Sequence, residues 1–335
     1  MTAEPTPSPS RPRPEDAAPD ARPGTEGVTP QSRQGGAEGA GPESGPGAER
    51  GGPDARLRAE GATLAYGDDV VATGLDFAVA DHAVTAIIGP NGCGKSTLLR
   101  ALGRLLRPSA GQVVLDGRPI SALPPREVAR TIAVLPQSPQ APPGLTVGDL
   151  VARGRHPHQS WYRQWTSTDQ DVIVRALELT GMLEHADRPL ERLSGGQRQR
   201  AWISMALAQE TDLLLLDEPT TFLDLAHQIE VLELVRTLNT EHGRTVVMVL
   251  HDLNLAARYA HHLVAMRAGT VIASGDPASV LTPALVAEVF GLDATVIPDP
   301  VAGTPLVVPI GVQTRTGTGE TAAAGAVTGT DRAEP

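Results

Sequence analysis

The chain has 335 residues and a formal net charge of −11 at pH 7; its length predicts about two domains or one large domain with tails, and its acidity argues against nucleic acid or an anionic lipid surface as a general partner. No stretch reaches the ~18 consecutive apolar residues of a transmembrane helix, so any membrane association is expected to be peripheral. The single cysteine, Cys93, excludes an internal disulfide and a cysteine-based zinc site, and it is typical of a reducing cytosol.

Residues 1–55 are rich in Pro and Gly and contain no aromatic residue. Such a segment cannot bury enough apolar surface to offset its chain entropy, so it is predicted to be a disordered tail. It has no apolar run typical of a secretory signal, and its carboxylates argue against a transit peptide. It is either a tether or a spacer without a specific role. The Gly-, Thr- and Ala-rich residues 311–335 are predicted to be a second disordered tail, which leaves 56–310 as the folded domain.

The folded part is predicted to begin with β structure. Leu57 to Tyr66 and Val70 to Val79 read as strands, and the β-branched residues 84–88 read as a buried strand. Tyr66 is a candidate platform on which a purine ring could stack. The alternative is a half-buried strand tyrosine, and the local sequence does not separate the two.

Directly after the buried strand comes the pattern G-x-x-x-x-G-K-S/T, followed by good helix formers. Strand, glycine loop and helix are the context of a phosphate-binding loop, in which backbone N–H groups and a helix N-terminus bind the β- and γ-phosphates. Lys95 is expected to reach these phosphates and Ser96 to ligate Mg²⁺. Cys93, at the same helix N-terminus, is expected to have a lowered thiol pKa and to react unless ATP protects it. The loop comprises Gly89, Pro90, Asn91, Gly92, Cys93, Gly94, Lys95, Ser96 and Thr97.

A strand over 112–117, a short helix over 126–130 and a strand over 131–136 are predicted next. Gln137 follows the last strand and would point into a ligand crevice, although a polar residue there is more often part of a loop. From about 138 the pattern becomes mostly helical, with helical spacing over 147–153 and 169–182. Trp161 and Trp165 lie four residues apart, as either a partner-binding patch or core packing.

A helix is predicted over 197–208, beginning at Gln197. Ser194 is placed to cap this helix, and Gly195 and Gly196 lie between the cap and Gln197. Small residues at a helix N-terminus form either a second anion site or simply a well-capped helix. A second anion site in one chain would need an explanation.

Asp217 and Glu218 follow the apolar run 213–216, which reads as a central parallel strand. Asp217 would hold Mg²⁺ through water, and Glu218 would orient or deprotonate a water molecule. The alternative is a pair of structural acids. Asp224 then precedes an amphipathic helix to about residue 238, and the strand 245–250 ends at His251, a candidate contact for the γ-phosphate. A hairpin around Gly269 and a helix over 278–291 complete the predicted elements.

In this order the motifs resemble those of ABC-type ATPases. The resemblance covers about 56–310 and implies an α/β fold: a P-loop NTPase ABC cassette with a RecA-like parallel-sheet core, an antiparallel β-subdomain and a helical subdomain at about 138–200. It implies that Tyr66 stacks on adenine, that Ser96, Gln137 and Asp217 bind Mg²⁺, and that Gln137, Glu218 and His251 are catalytic. Asp224 matches the family's D-loop and is expected to bind the nucleotide. The second anion site would belong to an interface in which two subunits associate head to tail around two ATP molecules, each held by one subunit's loop and the other's Ser194–Gln197 signature.

Within that family the chain is most similar to the ATPases of bacterial ferric-siderophore, haem and cobalamin importers, through residues 89–95, 153–158, 220–228 and 251–256. It departs from the family at 81–83, where a glycine turn is usual. The resemblance implies a homodimer, an integral membrane permease as partner, an extracytoplasmic binding protein as indirect partner, no nucleic acid, and a peripheral location on the cytoplasmic face of the bacterial membrane. Ferric siderophore is the favoured cargo. The alternatives are haem or cobalamin, a soluble ABC ATPase of DNA repair, translation or cluster assembly, and a regulatory ATP-binding module, against which Glu218 and His251 argue.

Overall fold

The computed structural model of the chain describes residues 55–159 and 166–312. The aromatic pair at 161 and 165 and most of both predicted tails lie outside these residues. The described strands are β1 (Leu57–Tyr66), β2 (Asp69–Ala78), β3 (Val84–Ile88), β4 (Ala110–Leu115), β5 (Arg118–Pro119), β6 (Ile132–Leu135), β7 (Leu213–Leu216), β8 (Thr245–Val249), β9 (His262–Arg267), β10 (Thr270–Gly275), β11 (Leu292–Pro298) and β12 (Pro305–Val312). The described α-helices are α1 (Lys95–Leu102), α2 (Pro125–Thr131), α3 (Val147–Arg153), α4 (Ser167–Leu179), α5 (Gly195–Ala208), α6 (Leu225–Thr240), α7 (Leu253–Tyr259), α8 (Pro277–Val280) and α9 (Pro283–Phe290).

A six-stranded sheet forms the centre, with strand order β10-β9-β3-β8-β7-β6. The neighbours from β9 to β6 pair in parallel, and only β10 pairs antiparallel to its neighbour β9. All residues of β3, β7 and β8 are buried, because the sheet is covered on both faces, and this explains the uninterrupted apolar runs in the sequence. Along β7, Leu214 and Leu216 face one core cluster, and Leu213 and Leu215 face the other.

The second cluster lies between the central sheet, α1 and a four-stranded antiparallel sheet with order β2-β1-β4-β5. The first cluster includes the buried faces of α3, α4 and α5, which pack on one another. The chain therefore has the predicted α/β architecture, with a parallel core, an antiparallel β-subdomain and a helical region, and that prediction is confirmed.

The three helices of the helical region begin with the same device. A threonine or serine accepts a hydrogen bond from the backbone N–H three residues on, and the side chain at that third position bonds back to the cap, at Thr146 and Asp149, Thr166 and Asp169, and Ser194 and Gln197. Such capping boxes satisfy backbone groups that a helix end leaves free. The helix predicted at Ser194 is confirmed, and α5 continues to Ala208, beyond the expected limit of the helical region near residue 200.

The C-terminal part differs from the prediction. The single helix expected over 278–291 is two helices, because Pro283 begins α9 and Thr282 caps it by accepting a hydrogen bond from Leu285 N at 3.2 Å. Helix α7 and the β11–β12 hairpin were not predicted, and β12 ends at Val312, two residues past the expected boundary. Within the two described ranges, no helix combines the length and apolarity needed to cross a bilayer.

Candidate functional site

The candidate site lies at one edge of the central sheet. Strands β3, β8, β7 and β6 run in parallel, so their carboxyl ends meet at that edge. The residues that follow them there are Gly89, His251, Asp217 with Glu218, and Gln137. Three of them, Gln137, Glu218 and His251, line a cavity of ≈ 620 Å³. The rest of its lining comprises Val71, Asn91, Gly92, Gly94, Lys95, Ser96, Thr97 and Thr221.

The glycine loop needs its glycines at two positions. At Gly89 a Cβ atom would lie 2.2 Å from the Met266 carbonyl oxygen, and at Gly94 the backbone has φ +103° and forms the N-cap of α1. A side chain is excluded by contact at the first position and strained at the second. The loop thus presents backbone N–H groups and the start of α1 to the cavity. Lys95 is buried, and its Nζ donates to the carbonyl oxygens of Gly89 at 2.8 Å and Pro90 at 2.9 Å.

Ser96 joins the glycine loop to the end of β7. Its Oγ donates to Asp217 Oδ1 at 2.7 Å, whereas the buried Asp217 Oδ2 has no hydrogen-bond partner among the described residues. Burial raises the pKa of Asp217 above its ordinary value, and the bond from Ser96 only partly opposes this. A hydroxyl oxygen beside an unpartnered carboxylate oxygen fits the oxygen ligands that Mg²⁺ prefers.

Glu218 is the most heavily hydrogen-bonded acid at this edge. Thr221 Oγ1 donates to its Oε2 at 2.9 Å, Gln137 Nε2 donates to the same oxygen at 2.5 Å, and His251 Nε2 lies 2.6 Å from its Oε1. Burial alone would raise the pKa of Glu218, but the bonds from Thr221 and His251 outweigh burial, and the pKa lies below its ordinary value. The side chain is therefore a carboxylate at neutral pH. Glu218 also has φ +52°, a strained conformation often found at functional sites.

The structure places two predicted site residues, Gln137 and Cys93, differently from what the sequence predicts. Gln137 directs its amide to Glu218 rather than to Ser96 or Asp217, so its metal contact stays a prediction. The expected lowering of the Cys93 thiol pKa is wrong. The residue is only 3% exposed, in the core cluster beneath the loop, and burial raises its pKa. The helix N-terminus does not activate this thiol, because the thiol faces the protein interior.

The remaining predicted residues lie outside the cavity lining. Tyr66 is 44% exposed, and its hydroxyl accepts a hydrogen bond from Arg100 Nη1 at 2.9 Å. Ser194 and Gln197 cap α5, with Gly195 and Gly196 between them. Asp224 is the N-cap of α6. Within one chain, the second anion site at Ser194–Gln197 therefore does not line the cavity beside the glycine loop.

Sequence reasoning missed Thr221 and Val71 as lining residues. Thr221 has a signal in retrospect, since it lies three residues after Glu218 and its hydroxyl can turn back to the carboxylate. Val71, on β2, approaches Gly94 through the packing of β2 against the loop: a Cβ atom at Gly94 would lie 3.2 Å from Val71 Cγ1. No local pattern marks such a contact.

Comparison with known proteins agrees with this geometry. Residues 72–221 match the family model described as ABC transporter. The chain is 53% identical over 255 residues to the probable siderophore transport system ATP-binding protein YusV of Bacillus subtilis (strain 168), covering 76% of this chain and 93% of the relative. It is 53% identical over 257 residues to the ferric enterobactin transport ATP-binding protein FepC of Escherichia coli (strain K12), covering 77% and 95%. A solved dimer of the ATP-binding cassette MJ0796 in a post-hydrolysis state, bound to ADP and phosphate, superposes with a TM-score of 0.58 at 27% identity, covering 66% and 98%.

The parallel sheet, the glycine loop and the acids at the sheet edge define a P-loop NTPase of the ABC cassette type. The chain belongs to the ABC transporter family, among its ATP-binding proteins. It binds ATP and is an ATPase, as the cassettes of this family are.

Proposed function

We propose that the chain is the ATP-hydrolysing subunit of a bacterial importer and energises uptake of ferric siderophore through a separate membrane permease. The observation that supports this most strongly is the convergence of Lys95, the Ser96–Asp217 pair and Glu218 on one sheet edge. It combines phosphate binding, oxygen ligands for a cation and a carboxylate beside the expected γ-phosphate. The proposed location is the cytoplasmic face of the membrane, as a peripheral subunit.

The glycine loop, residues 89–97, would bind the β- and γ-phosphates with its backbone N–H groups. Lys95 would exchange its two loop carbonyls for phosphate oxygens, which compensates the loss of those hydrogen bonds. Tyr66, which is 44% exposed and hydrogen-bonded to Arg100 of α1, would stack on the adenine. Cys93 would contribute only its backbone.

Glu218 would orient the attacking water and accept its proton. Its low pKa keeps it ionised, and because a low pKa also makes a carboxylate a weak base, positioning the water is a large part of its task. Gln137 and His251 already contact Glu218 on its two oxygens. They would hold the carboxylate towards the γ-phosphate side of the cavity.

Ser96 Oγ and Asp217 would hold Mg²⁺, and Gln137 would approach it when its bond to Glu218 opens. The unpartnered Asp217 Oδ2 supports this assignment. When bound, Mg²⁺ would neutralise charge that develops on the phosphate oxygens as the phosphate bond breaks.

The Ser194–Gln197 signature and Asp224 would complete the site of a second copy. They lie outside the chain's own cavity lining, although Ser194 caps a 14-residue helix whose N-terminus favours anions. A head-to-tail homodimer would place each signature over the partner's ATP, with both sites buried between the copies. The solved dimer of the cassette MJ0796, bound to ADP and phosphate, supports the association of two copies.

A groove between the core and the helical region would receive a cytoplasmic helix of the permease. It has a volume of ≈ 530 Å³ and is lined by apolar side chains from α2, β6 and α5, including Val128, Val134 and Met205, with Arg104 and Arg153 among its charged residues. An apolar floor with arginines fits an amphipathic helix that carries acidic residues. The extracytoplasmic binding protein would act through the permease.

Glu218→Gln tests the hydrolytic role. Because this change removes the base but keeps the shape of the side chain, ATP turnover by the purified chain should fall roughly 10²–10⁴-fold, while ATP binding is retained. A matched control is Glu178→Gln, an exposed acid on α4, which should leave turnover unchanged. Near wild-type turnover by Glu218→Gln would refute the assignment.

Uptake in a strain lacking the gene tests the cargo. The strain is complemented with wild type or Glu218→Gln, and labelled ferric siderophore, haem and cobalamin are followed separately. Siderophore uptake restored by wild type alone is the expected result. Restoration of only haem or cobalamin would keep the mechanism and replace the cargo, and normal uptake of all three without the protein would favour a soluble ABC ATPase.

A further inference from the structure

The first turn of α5 rests against a histidine from α6. At Gly196 a Cβ atom would lie 2.4 Å from Cδ2 and 2.8 Å from Cγ of His227. Contacts this short leave no room for a side chain at Gly196 while His227 keeps this position, so the absence of a side chain lets the imidazole ring pack directly on the helix backbone. Gly196 itself is buried. The contact joins the helical region to the core.

The same histidine is fixed from its other side by Asp224. Oδ1 of Asp224 accepts from the backbone N–H of His227 at 3.0 Å and lies 2.7 Å from its Nδ1. The first bond is the N-cap of α6, and the second sets the plane of the ring. These backbone and ring bonds together hold the pKa of Asp224 below its ordinary value. His227 thus approaches Gly196 with its Cδ2 and Cγ atoms and contacts Asp224 with its Nδ1.

The contact between Gly196 and His227 is one of a series that joins α5 to α6 and to the residues just before α6. One turn further along both helices, Arg200 Nη1 lies 3.7 Å from Glu230 Oε2. At the other end, a Cβ atom at Gly195 would lie 3.7 Å from Leu223 Cδ2. Gln197, at the third position of α5, places its Nε2 3.1 Å from His185 Nε2 within the helical region. The signature turn is therefore held by a histidine on the helical side and by His227 on the core side.

We propose that His227 is a positioning residue that fixes the Ser194–Gln197 turn relative to Asp224, so that both approach a second copy of this chain as one rigid unit. This rests on the proposed function, in which both elements face the partner's ATP. His227 does not line the chain's own cavity. Its loss should weaken ATP-dependent association of two copies while leaving the binding of ATP to the isolated chain unchanged.

The test uses the full-length chain in the Glu218→Gln background, where bound ATP persists. ATP affinity is measured by titration calorimetry under conditions in which the chain is monomeric, and ATP-dependent dimerisation by analytical ultracentrifugation. The variants are His227→Ala, which removes both contacts; His227→Phe, which keeps a ring on Gly196; and His227→Asn, which keeps a donor for Asp224. The matched control is His242→Ala, an exposed histidine just beyond the opposite end of α6.

His227→Ala should weaken dimerisation at least about tenfold, as expected for losing roughly 1.4 kcal/mol of interaction, with ATP affinity changed less than about twofold. His242→Ala should match the parent in both measurements. At least one of His227→Phe and His227→Asn should recover most of the association, and the one that does identifies the contact that positions the turn. Recovery would also show that general destabilisation is not the cause.

Dimerisation by His227→Ala equal to that of the parent would overturn the proposal and leave the proposed function intact. So would an equal loss in ATP affinity and in dimerisation, because that pattern indicates a folding defect. A parent that binds ATP but does not dimerise would instead refute the head-to-tail arrangement itself, and the role of His227 would fall with it.

Discussion

At the scale of single residues, burial and hydrogen bonding act in opposite directions on two neighbouring acids. Asp217 and Glu218 follow the same strand, yet the pKa of the first is raised and that of the second is lowered. Both lose solvation on burial, but Glu218 gains three side-chain partners and Asp217 gains only Ser96. One acid is thus kept ionised by the protein, and the other has an oxygen left for a ligand.

Asp217→Asn should stabilise the ligand-free chain at neutral pH. The folded-state pKa of Asp217 is raised, so its contribution to stability is present below the unfolded pKa and is lost as pH rises through the folded pKa. Removing the charge should raise Tm at pH 7 by about 2–4 °C, as expected for roughly 1 kcal/mol in a domain of this size. The difference should shrink as pH is lowered and the Asp217 carboxyl of wild type takes up a proton.

Calorimetry of both proteins from pH 4 to pH 8 checks this, with Asp171→Asn, an exposed acid on α4, as the control. A variant less stable than wild type at pH 7 would contradict it. Addition of ATP with Mg²⁺ should raise the Tm of wild type by more than that of Asp217→Asn, because the variant keeps the glycine loop but lacks the carboxylate proposed to hold the cation.

Cys93 should react slowly with thiol reagents in the native chain. The thiol is buried and its raised pKa leaves little thiolate at pH 7. We expect labelling by a disulfide reagent to be about 10²-fold slower or more than in denaturant, since it requires local opening. Any labelling reports this site alone, as the chain has one cysteine. Fast native labelling that ATP prevents would restore the expectation from sequence.

At the scale of elements, an arginine fixes the ends of three helices. Arg155, which follows α3, is 5% exposed; its Nε donates to Asp169 Oδ1 at 2.9 Å, and its Nη1 donates to the carbonyl of Ala208 at 2.9 Å and to Glu210 Oε2 at 2.7 Å. Asp169 belongs to the capping box of α4, and Ala208 ends α5. The helical region is thus held by a buried polar network as well as by its apolar core.

Arg155→Met should destabilise the chain by roughly 3–5 kcal/mol, because it leaves Asp169 buried without its cation. Burial opposes ionisation of Asp169, but bonds from Arg155 and Thr166 hold its pKa below its ordinary value. That contribution is present above the unfolded pKa and is lost as pH falls through the folded pKa, so wild type and variant should converge in acid. Denaturant unfolding at pH 7 and pH 3 measures both effects.

The control is Arg175→Met. Arg175 is 64% exposed, and its Nη2 lies 3.9 Å from Glu210, so its loss should cost about 0–1 kcal/mol. Equal effects of the two substitutions would show that the network around Arg155 does not contribute beyond an exposed ion pair.

The accuracy of the predicted elements follows the strength of the local signals. Strand β3 and helix α3 match their predicted bounds, because a wholly buried strand gives a short uninterrupted apolar run and a capped amphipathic helix gives apolar residues at helical spacing. The hairpin β11–β12 was missed since it depends on contacts distant in sequence: Val307 N donates to Asn254 Oδ1 at 2.7 Å, and Asn254 Nδ2 donates to Val307 O at 3.2 Å. No pattern within 292–312 indicates that partner.

The same distinction between local signals and distant contacts applies to the residues of the candidate site. Motif residues such as Lys95, Asp217 and Glu218 could be found because their spacing is fixed by strand, loop and helix. Contacts that depend on how elements pack could not, among them the ring of His227 on Gly196 and the inward direction of Cys93. The position of Cys93 at a helix N-terminus indicates the local electrostatic field at the thiol. Whether the thiol is buried depends on how the surrounding elements pack.

At the scale of the whole molecule, the described residues account for a complete cassette. Both apolar core clusters are formed within 55–312, and the candidate cavity and the signature turn lie in the same range. The Pro- and Gly-rich residues 1–54 and the residues beyond 312 lie outside the described ranges. Their composition still predicts tails without a packed core.

A variant lacking residues 2–54 should therefore fold and turn over ATP as the full chain does. Burial of apolar surface is the main source of folding free energy, and this segment offers few bulky apolar side chains to bury. We expect a Tm within about 2 °C of wild type, a change worth less than roughly 1 kcal/mol, and unchanged ATP turnover. Calorimetry and a phosphate-release assay on both proteins measure this. A lower Tm would show that the tail packs on the cassette, and unchanged Tm with altered turnover would show that it acts on the catalytic cycle instead.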